Sequence, residues 1–433
     1  MNKNYFLYII LIFITGCSFN KNSKFWGNTE KVKNKEIVNF EEVFPKERSL
    51  QKEFNSGLKI SLNKKKFRTD RNEHYNNNDV FNFIGTLEKS SRFNFKKIKK
   101  FHQYEPEISF LKNGIIFFDN IGSILRFNEK SDLIWKKNYY SKSQKKLNPI
   151  LQFAHNNKFL IIADNIAKYY LLDIQSGNLI WSKDNLAPFN SQIKIFKDKF
   201  FIIDFSNTLR CFSLKDGSEL WNIKTENSLI RSQKKLSMVI VDEKIFFNNS
   251  IGDISAVDIN KGEIIWQIPT QSSLIYESSF SLETSDIIVD KDYLFFSNNK
   301  NRLFSININT GSIVWENKVN SSLRSIIIDE YLFSISLEGY FVVIEKTSGN
   351  IVRVSDVFKN FKPKNRLKIK PTGFAAGLDK IFISTSNGKL LIVDIYDGKI
   401  ISTLNIDNDK ISRPFVKNEN LFLIKDNAII RLN

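Results

Sequence analysis

An all-β fold, a β-propeller of eight blades, is predicted by three observations on this 433-residue chain. A short phrase recurs at intervals of roughly forty to fifty residues, the strands between its copies are short and turn-bounded, and the C-terminus stops inside a repeat. The phrase is an acidic or amide residue, three more, a glycine, three more, then tryptophan. It reads Asp173, Gly177, Trp181 and Asp258, Gly262, Trp266. Ser213, Gly217, Trp221 and Asn307, Gly311, Trp315 soften the first position, while Glu345, Gly349, Arg353 and Asp394, Gly398, Ser402 lack the aromatic. Trp135 ends a shortened copy.

Each part of the phrase has a physical task. A short acceptor such as Asp bonds the amides of a reversing turn, and glycine takes positive φ without a Cβ clash. The tryptophan is expected to lie against the neighbouring blade, with its indole N–H reaching a turn carbonyl. Seven copies end near Trp135, Trp181, Trp221, Trp266, Trp315, Arg353 and Ser402. The last repeat has Leu421–Lys425 and Ala428–Leu432 as middle strands and no sequence left for an outer one. Closure from the N-terminal side is therefore expected, and the alternating segment 92–98 is the candidate.

The ends predict export. Lys3 precedes an apolar run, Tyr5 to Ile14, too short to span a bilayer, and Ile14, Thr15, Gly16, Cys17 follow. Residues 1–16 read as a signal peptide, 17–79 as a polar, largely irregular tether and 80–433 as the propeller. Within the tether, Phe40–Phe44 and Leu58–Leu62 are partly apolar and are candidates for docking on the propeller or a partner. The tetrad ending at Cys17 resembles the lipobox of bacterial lipoproteins. That resemblance implies cleavage before Cys17, acylation of its thiol and, with Ser18 next, retention at the outer membrane.

The net charge of +18 raises the question of an anionic partner, but an exported chain does not meet nucleic acid. The lysines are spread among abundant Asn, Ile and Phe, so a broadly basic surface is expected, with the run Lys64, Lys65, Lys66, Arg68, Arg71 in the tether. Cys211 lies in an alternating strand and reads as a buried structural thiol. His74, His102 and His155 lack the spacing of a zinc site. Gly252-Asp253 reads as a strand-connecting turn, and Gly373 and Gly377 as close backbone approaches. The sequence contains no nucleophile turn, phosphate loop or other catalytic constellation, so neither catalytic residues, metal nor cofactor is expected.

The repeat resembles that of pyrroloquinoline-quinone-type propellers, which include quinoprotein dehydrogenases and non-enzymatic relatives. The dehydrogenases carry an adjacent cysteine pair near the quinone, which this chain lacks. The lipobox, tether and blade count, with Ser336–Tyr340 and Leu421–Asp426, are similar to the BamB lipoproteins of the outer-membrane β-barrel assembly machinery. That resemblance implies a non-enzymatic scaffold that binds the periplasmic POTRA domains of BamA and assists unfolded barrel proteins. It also implies contact residues. A Leu-x-Leu-Arg loop of the family matches Ser228, Leu229, Ile230, Arg231, and an Asp-x-Asp loop matches Ser281, Leu282, Glu283. Ile230, Arg231 and Glu283 are thereby the expected partner-binding residues. A quinoprotein-type enzyme and a glycan-binding propeller are the competing readings.

Overall fold

The computed structural model describes residues 50, 52–63, 77–78, 83–99, 101, 105–226, 232–271 and 282–433. Cys17, His74, His102, the Phe40–Phe44 patch and the basic run from Lys64 to Arg71 lie outside them.

Eight four-stranded antiparallel sheets follow one another along the chain, the arrangement of an eight-bladed propeller. Blade one is typical, with strands Ser109–Leu111, Gly114–Phe118, Ile124–Phe127 and Leu133–Lys137 from inside to outside. The middle strands are mostly apolar, because neighbouring sheets cover both faces. Phe159–Asp164 and Lys168–Asp173 of blade two are buried almost end to end, whereas its outer strand Leu179–Asp184 is largely exposed. The core is thus a set of layers between blades. One such layer sets Phe201 and Leu209 of blade three against Met238 and Phe247 of blade four. Cys211 sits in it, fully buried, and burial pushes its thiol up to about 12.

The recurring phrase locks these layers together. In blade two, Asp173 Oδ1 accepts the amides of Gln175 and Ser176 at 3.1 and 2.8 Å, and the Gly177 amide returns to the Asp173 carbonyl. Each tryptophan lies on the glycine of the following blade, so a Cβ on Gly217 would meet the Trp181 ring at 2.7 Å, and one on Gly262 the Trp221 ring at 2.6 Å. The indoles of Trp181, Trp266 and Trp315 donate to the carbonyls of Leu214, Ile308 and Lys346 at 3.1, 3.0 and 2.9 Å. Those of Trp135 and Trp221 meet no acceptor among the described residues.

The ring is completed by strand Lys89–Asn94, which pairs antiparallel with Ala428–Leu432 as the outer strand of blade eight. The ladder lies a few residues before the expected segment 92–98. Past Asn94 the chain still holds blade eight, through the Phe95 amide on Asn427 and the Ile98 amide on Asp426. Phe93 then packs edge-on against Phe127 of blade one at 5.6 Å, which joins the last blade to the first.

Two earlier stretches are also seated on the propeller. Residues 52–63 follow the outer margin of blades six and seven: Phe54 pairs with Val354, the Ile60 amide donates to Tyr396, and Ile60 and Leu62 enter the core of those blades. The Leu58–Leu62 patch therefore docks in cis. Asn77 and Asn78 enter the axis of the ring. The Asn77 amide nitrogen reaches the carbonyl of Ile287 at 2.9 Å and that of Met238 at 3.3 Å, and its oxygen accepts from Lys194 at 2.8 Å. Asn78 exchanges two bonds of 2.9 Å with the Ile327 backbone.

Candidate partner-binding face

In a four-stranded antiparallel meander, alternate strand directions place every connection from one blade's outer strand to the next blade's inner strand at the same end of the ring. The expected partner-binding residues fall in two such connections, after blades three and four. Ile230 and Arg231 lie outside the described residues. Glu283 is exposed, with its carboxylate taking the Ser322 hydroxyl at 3.1 Å and its backbone exchanging bonds with Asn299. The bases of the two connections meet. Ser232, the residue after Arg231, donates its hydroxyl to the Leu282 carbonyl at 2.5 Å, and its amide bonds the Ser250 carbonyl at 3.0 Å. The sequence separates the two stretches by about fifty residues, and the fold roots them side by side.

Between these roots and the ring axis opens a cavity of about 640 Å³, lined among others by Glu105, Lys234, Lys235, Glu283, Lys370 and Lys410. An ion network not expected from the sequence lines a smaller pocket beside it, which shares Glu105, Lys234, Lys235 and Lys410 with the cavity. Glu107, just ahead of blade one, receives Lys235 at 3.0 Å and both Arg324 and Arg413 at 3.3 Å. Arg324 also donates its Nε to Asp286 at 2.7 Å. Burial of the Asp286 carboxyl works against its ionisation, but Arg324 and Lys235 outweigh it and hold the group below its usual value of 3.8. Lys410, beside them, is pushed down by burial. Lys234 bonds the Ser322 carbonyl and lies 3.6 Å from Glu105. The network ties connections from several blades to the segment entering blade one. A signal for it existed: serine followed closely by a basic residue recurs just before an inner strand, as Ser232-Gln233-Lys234-Lys235, Ser322-Leu323-Arg324 and Ser412-Arg413.

Among the described residues no group of three His, Cys, Asp or Glu is placed to hold a metal ion. His155 spends its Nε2 on the Phe110 carbonyl at 2.9 Å. Gly373 and Gly377 are close approaches, with a Cβ there meeting Arg413 Cβ at 2.2 Å and the Phe83 carbonyl at 2.6 Å. Gly252-Asp253 lies in a turn closed by Asn249 Oδ1, which accepts from the amides of Ile251 and Asp253.

A search of curated proteins gives no match to the chain. Among solved structures it is similar to BamB from Moraxella catarrhalis, with a TM-score of 0.65 and 16% identity over 80% of this chain and 100% of that one. The quinohemoprotein alcohol dehydrogenase of Comamonas testosteroni matches with a TM-score of 0.59 and 7% identity, over 80% of this chain and 76% of that one. The computationally designed Ika8 protein matches at 0.59 with 11% identity, over 78% of this chain and 99% of that one. At such identities these likenesses establish the propeller fold and nothing finer. The family is established by sequence: residues 121–355, more than half of the chain, match the model described as outer membrane protein assembly factor BamB, and the chain belongs to that family.

Proposed function

We propose that the chain is a non-catalytic scaffold subunit of the outer-membrane protein assembly complex, held at the periplasmic face of the outer membrane by acylated Cys17. It binds the POTRA domains of a BamA-like barrel protein through the loops at the mouth of the ring and assists insertion of unfolded barrel clients. The observation that supports this reading is the common root of the two loops, Ser232 on Leu282, beside a cavity that Glu283 helps to line. A guanidinium, a carboxylate and an apolar residue, as Arg231, Glu283 and Ile230 supply, are the composition of a small hot spot, in which truncation of one partly desolvated charge costs about 2 kcal/mol or more.

The quinoprotein reading is disfavoured by what fills the ring. Asn77 and Asn78 occupy the axis between the inner strands of blades three to six, with Lys194 committed to Asn77. The glycan-binding reading is disfavoured because, among the described residues, the tryptophans from Trp135 to Trp315 cover the glycines of the following blades.

Co-purification of the tagged, lipidated protein from gently solubilised outer membrane, beside an Arg231→Glu variant, tests the role. Recovery of a POTRA-bearing barrel protein that falls with the variant is expected. Recovery of no barrel protein from the parent chain overturns the reading.

A further inference from the structure

The outer strands share a feature that the repeat does not require. Just before the motif tryptophan, Leu179 and Ile180 in blade two, Ile264 and Ile265 in blade four, and Ile313 and Val314 in blade five are 42–47% exposed. They lie on sheet edges, where a strand presents unpaired N–H and C=O groups to any chain able to take up a β conformation. Among the described residues nothing bonds the outward backbone of Ser182, Gln267 or Glu316, which follow the tryptophans of those blades.

Blade six shows what such an edge accepts. Its outer strand Ile351–Asp356 carries the equivalent pair, Ile351 and Val352, and there both are half-buried. The cover is residues 53–55 of the same chain. Phe54 and Val354 exchange two backbone bonds of 3.0 and 2.8 Å, Asn55 Nδ2 donates to the Val352 carbonyl at 3.3 Å, and Glu53 accepts the Asp356 amide at 3.0 Å. Every second residue along the edge is satisfied, as in an added antiparallel strand. The pairing of Val354 with Val342 has its counterparts in Ser182 with Tyr170, Gln267 with Ser255 and Glu316 with Phe304. A bulge at each outer strand is the usual device for blunting an edge. Blade six has the same bulge, between Val343 and Ile344, and is paired all the same.

We propose that the outer edges of blades two, four and five bind an extended segment of another polypeptide by antiparallel strand addition, its apolar side chains covering the exposed pair. The partner is an unfolded, β-forming segment in which apolar and polar residues alternate, because an edge takes main-chain bonds along its length while the apolar pair supplies side-chain contact. A second copy of the propeller is a poorer occupant: its own free edges are bulged and fixed in a closed ring, whereas an extended segment can follow the twist. This surface runs around the rim and is separate from the mouth, so either can fail without the other.

Hydrogen exchange of the intact chain, read by mass spectrometry with a ten-residue soluble peptide alternating valine with threonine or lysine, tests it. At saturating peptide, exchange in the outer strands of blades two, four and five is expected to slow by about tenfold or more, with Val354, already paired, unchanged. Ser182→Pro removes one outward N–H at a position where an edge strand tolerates proline. Protection in blade two is then expected to vanish while blades four and five keep theirs. No protection of the outer strands, or blade-two protection that survives Ser182→Pro, overturns the proposal. So does protection that arises without peptide and grows with protein concentration, which assigns the edges to a second copy.

Discussion

The seam between blades four and five and the seam between blades six and seven perform the same task with different chemistry. At the first, Trp266 lies on Gly311 and donates its indole to Ile308 at 3.0 Å. At the second, Arg353 stands where the tryptophan would be, and a Cβ on Gly398 would meet Arg353 Nε at 3.1 Å and Ser355 Oγ at 2.2 Å. The Arg353 guanidinium is fully buried, 5.6 Å from the Phe341 ring centre, and donates to the carbonyls of Ile395 at 3.0 Å, Leu58 at 3.1 Å and Tyr396. Burial brings it down to about 10, so it remains charged at neutral pH. The indole closes its seam with one apolar body and one donor. The guanidinium has donors to spare and recruits a carbonyl from residues 52–63, and that same segment caps the edge of blade six. Loss of an aromatic from the repeat thus coincides with gain of a cis strap.

Breaking the second seam gives the largest expected effect. Arg353→Ala removes the guanidinium that bonds the Ile395, Leu58 and Tyr396 carbonyls and opens a cavity, for an expected loss of about 4 kcal/mol in urea unfolding. Arg353→Trp sharpens the comparison. It restores the repeat and offers one donor in place of several, so the propeller is expected to stay folded while residues 52–63 come away. Faster tryptic cleavage at Lys52 and Lys59 would show it, and unchanged cleavage would detach the strap from Arg353. Trp266→Ala, at the first seam, is expected to cost about 3 kcal/mol with cleavage at Lys59 unaltered. Gly311→Ala forces a Cβ to 2.8 Å from the Trp266 ring at a φ of +74°, with an expected cost of about 2 kcal/mol by thermal unfolding. The smallest effect belongs to the mouth. Because Asp286 is held below 3.8 in the folded chain, its contribution is complete above that value and is lost as pH falls through the lower folded value. Acid unfolding of Asp286→Asn is therefore expected to show a shallower pH slope than that of the parent chain.

The sequence exposes the seams because each is written within one repeat. Asp173, Gly177 and Trp181 are four residues apart, and the physics of turn and ring can be read at that distance. The absence of aromatics at Arg353 and Ser402 is equally plain. What replaces them is not, because the Leu58 carbonyl that Arg353 holds lies 295 positions away. Asn77 is hidden in the same manner: two asparagines in a polar tether look like solvated chain until Lys194, Met238 and Ile287 surround one of them. Closure of blade eight was legible because an incomplete repeat demands a partner, although Lys89–Asn94 begins earlier than alternation alone suggests. At the mouth, Glu283 could be named through family resemblance. The network around Glu107 could not, since its members come from separate blades and meet only when the ring closes.

The central claim, that this face engages a POTRA-bearing partner, is tested most directly by calorimetric titration of the intact chain with purified POTRA domains of a BamA-like protein. The account predicts binding that weakens by about tenfold or more in both Arg231→Glu and Glu283→Lys and is unchanged in Ser182→Pro. Absence of binding by the parent chain, or equal binding by all three variants, would contradict it.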